Sequence, residues 1–144
     1  MNAKVSWLND LTFVGESESG HTVVMSADRE KSPSPLELVA LGLGGCSSID
    51  VVSILQKGRH AIEDCSVDIS YERAETAPRV YTKMHLHFVV SGTNLSEDAV
   101  KRAVSLSADK YCSVSKMLDG KVQISHDYEI KTTNSSLGAC PRID

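Results

Sequence analysis

The stretch that most constrains this chain is residues 34–60, SPLELVALGLGGCSSIDVVSILQKGRH, a long apolar segment with Cys46 near its centre. Ser34, Pro35 and Glu37 supply an N-cap hydroxyl, a proline at the first helical position and a carboxylate three residues after the cap, the pattern of a capping box that starts a helix. Lys57, Arg59 and His60 place cations at the far end, and Gly58 gives the chain a residue on which to leave the helix. Between these ends Leu36, Leu38, Val39, Leu41, Leu43, Ile49, Val51, Val52, Ile54 and Leu55 leave almost no polar face, which predicts a core helix wrapped by protein on most sides. Crossing a bilayer takes about 20 consecutive apolar residues, and Glu37, the serines and Asp50 interrupt this run, so no membrane partner is expected.

Gly42, Gly44 and Gly45 are costly inside a helix, roughly 0.8 to 1 kcal/mol each relative to alanine. Two benefits offset that cost: close approach of another backbone, or a kink that makes Cys46 the start of a second helical segment. A kink would aim unpaired N–H groups and the positive dipole end at the sulfur and favour thiolate.

A chain of 144 residues is one domain's worth, expected over residues 1–131, followed by a polar tail without period over 132–144, expected to be disordered and to make Cys140 of little weight. The net charge of -4 and a pI near 5.7 argue against a nucleic-acid partner, which calls for a basic stripe. Met1 is followed by no apolar signal region, so the expected location is the cytoplasm. In that reducing setting Cys46, Cys65, Cys112 and Cys140 should be buried, metal-bound or reactive rather than paired in structural disulfides. No C-x-x-C or H-x-x-x-H spacing is present, so neither a structural zinc nor any other cofactor is expected.

Short alternating segments at residues 4–7, 11–15 and 21–25, joined by Asn9-Asp10 and by the polar run 16–20, predict three small strands. Residues 26–33 carry Asp28, Arg29, Glu30 and Lys31, either as a solvated loop or as a loop delivering Arg29 to a site. Cys65, Val67, Ile69 and Tyr71 alternate with polar residues as a half-buried strand. A second strand follows over 80–90, with Val80, Thr82, Met84, Leu86, Phe88 and Val90 on one face and His85 and His87 exposed on the other. Ser96 caps a second helix running to about Leu118, with Val100, Val104, Tyr111, Val114 and Leu118 on one stripe and Ser105, Ala108, Cys112 and Ser115 on the adjoining ridge. A last strand spans 121–131. The order βββαββαβ predicts an α+β domain with antiparallel sheets enclosing long buried helices.

Cys46 and Cys112 share a setting of glycine, serine and alanine neighbours, which lets two helices approach closely enough for a closable pair, whose Cα atoms must lie about 4.4 to 6.8 Å apart. Two ordinary buried cysteines remain the other reading of the same pattern.

The segments Ser34-Pro35-Leu36-Glu37-Leu38 and Gly44-Gly45-Cys46-Ser47, with Lys110-Tyr111-Cys112-Ser113-Val114 on the later helix, resemble the OsmC/Ohr family of osmotically induced and organic-hydroperoxide-resistance proteins, in its YhfA-like branch. The resemblance implies an OsmC-like fold, an intertwined homodimer with two sites at its interface, and thiol peroxidase chemistry. By that analogy Cys46 attacks the O–O bond of a small organic hydroperoxide, Cys112 resolves the sulfenic acid as a disulfide, and a dithiol reductant, for example of the lipoyl type, reopens it. Family peroxidases activate the thiolate with an arginine and with a glutamate ten residues before the first cysteine. Here that position is Leu36, with Glu37 one place on, and Arg29 is the arginine candidate; Asp50, one turn after Cys46, would raise a thiol's pKa. Leu36 motivates an alternative, a dimer binding a small apolar ligand in an interface pocket without efficient turnover. A third reading is a metal held by Cys46, Cys112 and a histidine.

Overall fold

The computed structural model describes residues 1–132; Cys140 and all but the first residue of the tail expected from 132 lie outside the described residues. Two compact units are resolved, Met1–Gly42 and the chain from Leu43 onward, and helix α1 (Pro35–Lys57) contributes to both.

The first unit is a three-stranded antiparallel sheet of β1 (Lys4–Asn9), β2 (Thr12–Glu16) and β3 (Thr22–Ser26) in the order β1-β2-β3, as the alternating segments predict. Asp10 turns the first hairpin at a φ of 43°, a conformation that aspartate tolerates better than most residues. The buried hydroxyls of Thr12 and Ser26 satisfy each other at 2.9 Å, so neither is left desolvated without a partner. At the start of α1 the capping box forms as read: the Glu37 N–H donates to Ser34 Oγ at 3.1 Å, and the Ser34 N–H donates to Glu37 Oε1 at 2.9 Å.

In the second unit β4 (Ala61–Arg73) and β5 (Tyr81–Thr93) form a long antiparallel pair, and β6 (Gln123–Thr132) joins the other edge of β5. The β5–β6 pair is parallel, against the expectation of wholly antiparallel sheets. The connection between them is helical, and a parallel neighbour requires such a crossover. Register puts Met84, Leu86, Phe88 and Val90 inward; near Tyr81 it is shifted, so Tyr81 is buried and Thr82 exposed, the reverse of the simple alternation.

Two expectations about the helices are corrected. Helix α1 is continuous from Pro35 to Lys57, so Cys46 lies in its body and starts no second segment. Within the second unit it buries one stripe, Leu43, Ser47, Val51 and Leu55, at the i, i+4 spacing of a single helix face, while Ile49 is 70% exposed. One chain therefore covers one face of the helix rather than most of it. By length and composition α1 would also suffice to cross a membrane, but its one packed stripe is what a helix lying on a sheet buries.

The second predicted helix is three pieces: α2 (Glu97–Leu106), a π-helical turn (Ser107–Tyr111) and α3 (Ser113–Leu118). The wide turn moves Tyr111 off the expected inner stripe, leaving it 52% exposed. Ser96 caps α2 as read, accepting from the Ala99 N–H at 3.2 Å.

Candidate active site

Cys46 and Cys112 come together in the second unit. Their sulfurs and a carboxylate oxygen of Asp50 all lie within 4.8 Å of one another. The α-helical spacing of Cys46 and Asp50 sets both on one face of α1, one turn apart.

Cys112 reaches this place because the helix breaks. Its N–H donates to the Ser107 carbonyl at 2.9 Å, five residues back rather than four, and its backbone then turns extended at φ -73° and ψ 108°. Cys112 becomes the N-cap of α3, and the Ser115 N–H donates to its sulfur at 3.4 Å. Ser47 Oγ donates to the same sulfur at 3.3 Å. Ser107 Oγ lies 3.0 Å from Asp50 Oδ2 and 3.3 Å from the Ser47 carbonyl oxygen, so its proton orients the carboxylate and the α1 backbone at once.

The two thiols differ in environment. Cys112 is fully buried, and burial pushes its thiol up; the Ser47 hydroxyl and Ser115 N–H oppose that, and the neighbouring Cys46 adds to it. Cys46 is half-buried and is the more accessible of the pair. Cys65 lies on β4 and is pushed up to about 11 by burial and by Asp64, the setting of an inert thiol. A cavity of about 10 Å³, lined by residues including Ser47, Ser107, Ser115, Leu43, Phe88 and Val104, has room for about one water.

Arg29 and Glu37 are both in the first unit, where the Arg29 guanidinium lies 3.3 Å from Glu37 Oε2. The Ser34 N–H holds the Glu37 carboxyl below the usual range, with the Ser34 hydroxyl and Arg29 adding to the effect. The Arg29–Glu37 pair is an exposed ion pair at the start of α1.

Ser107, and Ser47 as a donor to sulfur, are functional candidates that spacing did not reveal. No glycine or proline marks the π-turn, so a ridge drawn at regular helical spacing misses Ser107. The two thiols and Asp50 are ligand types that suit zinc; among the described residues no histidine joins this group, where the third sequence reading expects one. The parallel strand β6 supplies carboxylates to His85 and His87. His85 Nε2 lies 2.9 Å from Asp127, and His87 bridges Asp127 at 2.7 Å and Glu129 at 3.0 Å.

The family model described as OsmC-like protein matches residues 28–127. Protein YhfA of Escherichia coli K12 is 54% identical over 131 residues, covering 90% of this chain and 98% of that protein. A hypothetical protein of Aquifex aeolicus VF5 has a crystal structure that superposes with a TM-score of 0.84 at 26% identity, covering 92% of this chain and 97% of that one. The organic hydroperoxide resistance protein OhrB of Bacillus subtilis shares the fold at a TM-score of 0.59 and 16% identity, covering 90% and 98%. With its cysteine pair, its element order and these matches, the chain belongs to the OsmC family.

Proposed function

We propose that this protein is a cytoplasmic, thiol-dependent peroxidase for small organic hydroperoxides. The observation that carries the reading is the approach of the Cys46 and Cys112 sulfurs to within 4.8 Å, two free thiols brought together from a helix body and a helix break. Closing to a disulfide of about 2.05 Å asks for side-chain rotation and a local shift rather than a new fold.

Roles follow from exposure. Cys46 is the thiol a peroxide reaches, and as thiolate it displaces alcohol from the O–O bond and becomes a sulfenic acid. Cys112 then attacks that sulfur, the hydroxyl leaves as water with the Cys112 proton, and a disulfide forms. A dithiol reductant of the lipoyl type returns both thiols by exchange and carries away the two electrons as its own disulfide. The family resemblance gives the task of activating Cys46 to Arg29 and Glu37, and the reaction calls for no cofactor.

The exposed apolar residues support a homodimer. Trp7, Leu8, Leu11 and Leu41 in the first unit, and Ile49 and Met117 in the second, are each more than half exposed, which is what a chain awaiting a second copy presents. Stopped-flow oxidation of the reduced protein by cumene hydroperoxide tests the activity. Loss of the Cys46 thiol far faster than that of a free cysteine at the same pH is expected. A rate equal to the free thiol's would favour the alternative, a dimer that binds a small apolar ligand and turns nothing over, for which Leu36 at the family's glutamate position is the supporting feature.

A further inference from the structure

We propose that the reduced site is also a metal site: Cys46 Sγ, Cys112 Sγ and a carboxylate oxygen of Asp50 bind one zinc-like divalent cation, with the fourth position left to water. This rests on the geometry of the three side chains and not on the peroxidase reading. Tetrahedral zinc takes sulfur at about 2.3 Å and carboxylate oxygen at about 2.0 to 2.2 Å, which sets ligand atoms roughly 3.5 to 3.8 Å apart. A group already within 4.8 Å needs to contract by about 1 Å or a little more.

The surroundings of the three ligands have the form that metal sites use. Outer groups around such a site hold each ligand in place by hydrogen bonds and tune its basicity. Ser107 orients the Asp50 carboxylate at 3.0 Å, and Ser47 Oγ and the Ser115 N–H both point at the Cys112 sulfur, at 3.3 and 3.4 Å. Those two donors are more useful to a thiolate than to a thiol. Two thiols and a carboxylate crowded together also call for positive charge, and a divalent ion supplies it as each thiol releases its proton to solvent. The half-exposed Cys46 gives the ion a way in, and two sulfur ligands select zinc, cobalt or cadmium over magnesium or calcium.

The consequence is regulation of the same two sulfurs. With metal bound neither thiol is free to attack a peroxide or to close a disulfide, and the disulfide cannot bind metal. Occupancy and oxidation are therefore mutually exclusive states of one site.

The test is a titration of reduced, chelator-stripped protein with cobalt(II) in a Cys65→Ala, Cys140→Ser background. One equivalent per chain should bind, with sulfur-to-cobalt charge-transfer absorption and the intense visible bands of a tetrahedral ion, both displaced by zinc. Zinc should shield Cys46 and Cys112 from alkylation, and prior oxidation should abolish binding. Asp50→Asn should weaken the affinity at least about tenfold while the charge-transfer bands persist. Absence of those bands, or their survival in Cys46→Ser, overturns the site; unchanged affinity in Asp50→Asn overturns the carboxylate ligand. Peroxidase turnover of the metal-free protein is measured separately, so either result stands without the other.

Discussion

Ser47 Oγ donates a hydrogen bond to Cys112 Sγ at 3.3 Å, joining two residues 65 positions apart in the buried interior. This donor opposes the burial that pushes the Cys112 thiol up. Ser47→Ala should therefore raise that thiol further and slow the closing of the disulfide near pH 7, by up to about tenfold for each pKa unit. The closing rate should climb with pH in both proteins, because thiolate is the attacking form, and the climb should lie at higher pH in the variant. Quenched-flow trapping of sulfenic acid and disulfide across pH checks it; superimposable profiles would remove Ser47 from the step. First oxidation of Cys46 should be unchanged. Cys112→Ser should leave Cys46 stalled at sulfenic acid or oxidised further.

The glycines of α1 separate into different cases. A Cβ on Gly44 would stand 2.5 Å from Ile69 Cδ1 and 3.3 Å from Val67 Cγ1, so this position is where the helix closes onto β4. Ile69 can yield to a methyl group but not to a branched chain, and Gly44→Leu should cost about 1 to 3 kcal/mol in a urea melt. Gly45 meets nothing within 4 Å, and Gly45→Ala should stabilise the single chain by about 0.8 to 1 kcal/mol. Loss of stability in Gly45→Ala instead would show that a second chain lies against that glycine.

Ile49 tests the assembly. It is 70% exposed, off the buried stripe of α1, and in a homodimer built on α1 it would be covered. Ile49→Glu should yield monomers by light scattering at concentrations where the parent is dimeric. A parent protein that is itself monomeric would end the dimer reading.

The ladder on the outer face of the second sheet gives a pH dependence. His87 is raised by its hydrogen bonds to Asp127 and Glu129, and Asp127 is lowered by His87 and His85. A raised histidine stabilises most below its unfolded pKa of about 6.5 and loses that contribution as pH rises through its folded value; a lowered aspartate stabilises above about 3.9 and loses its contribution as pH falls. The ladder is strongest between those limits, and the melting-temperature difference between the parent and His87→Ala should peak there. A difference independent of pH would contradict it.

Cys65 acts at the alkaline end. Its thiol is pushed up to about 11 in the fold and returns to about 8.5 when unfolded, so folded chains hold the proton while unfolded chains release it. Stability should fall between those two pH values, and Cys65→Ala should flatten the fall in pH-dependent denaturation.

Much of the frame was legible in the chain because its signals are local. The Ser34 and Glu37 capping box, the polar turn before β3, the alternation from Met84 to Val90 and the Ser96 cap are all set by residues within a few positions of one another. What the tertiary structure decided is non-local. Whether β6 runs parallel beside β5, and so brings Asp127 to His85 and His87, depends on how a crossover packs. Whether Cys112 sits in a helix or ends one depends on a π-turn that no glycine or proline announces. That turn trades regular hydrogen bonds for placing Ser107 against Asp50 and the Cys112 sulfur against Ser47, contacts spanning about sixty residues that only packing can reward.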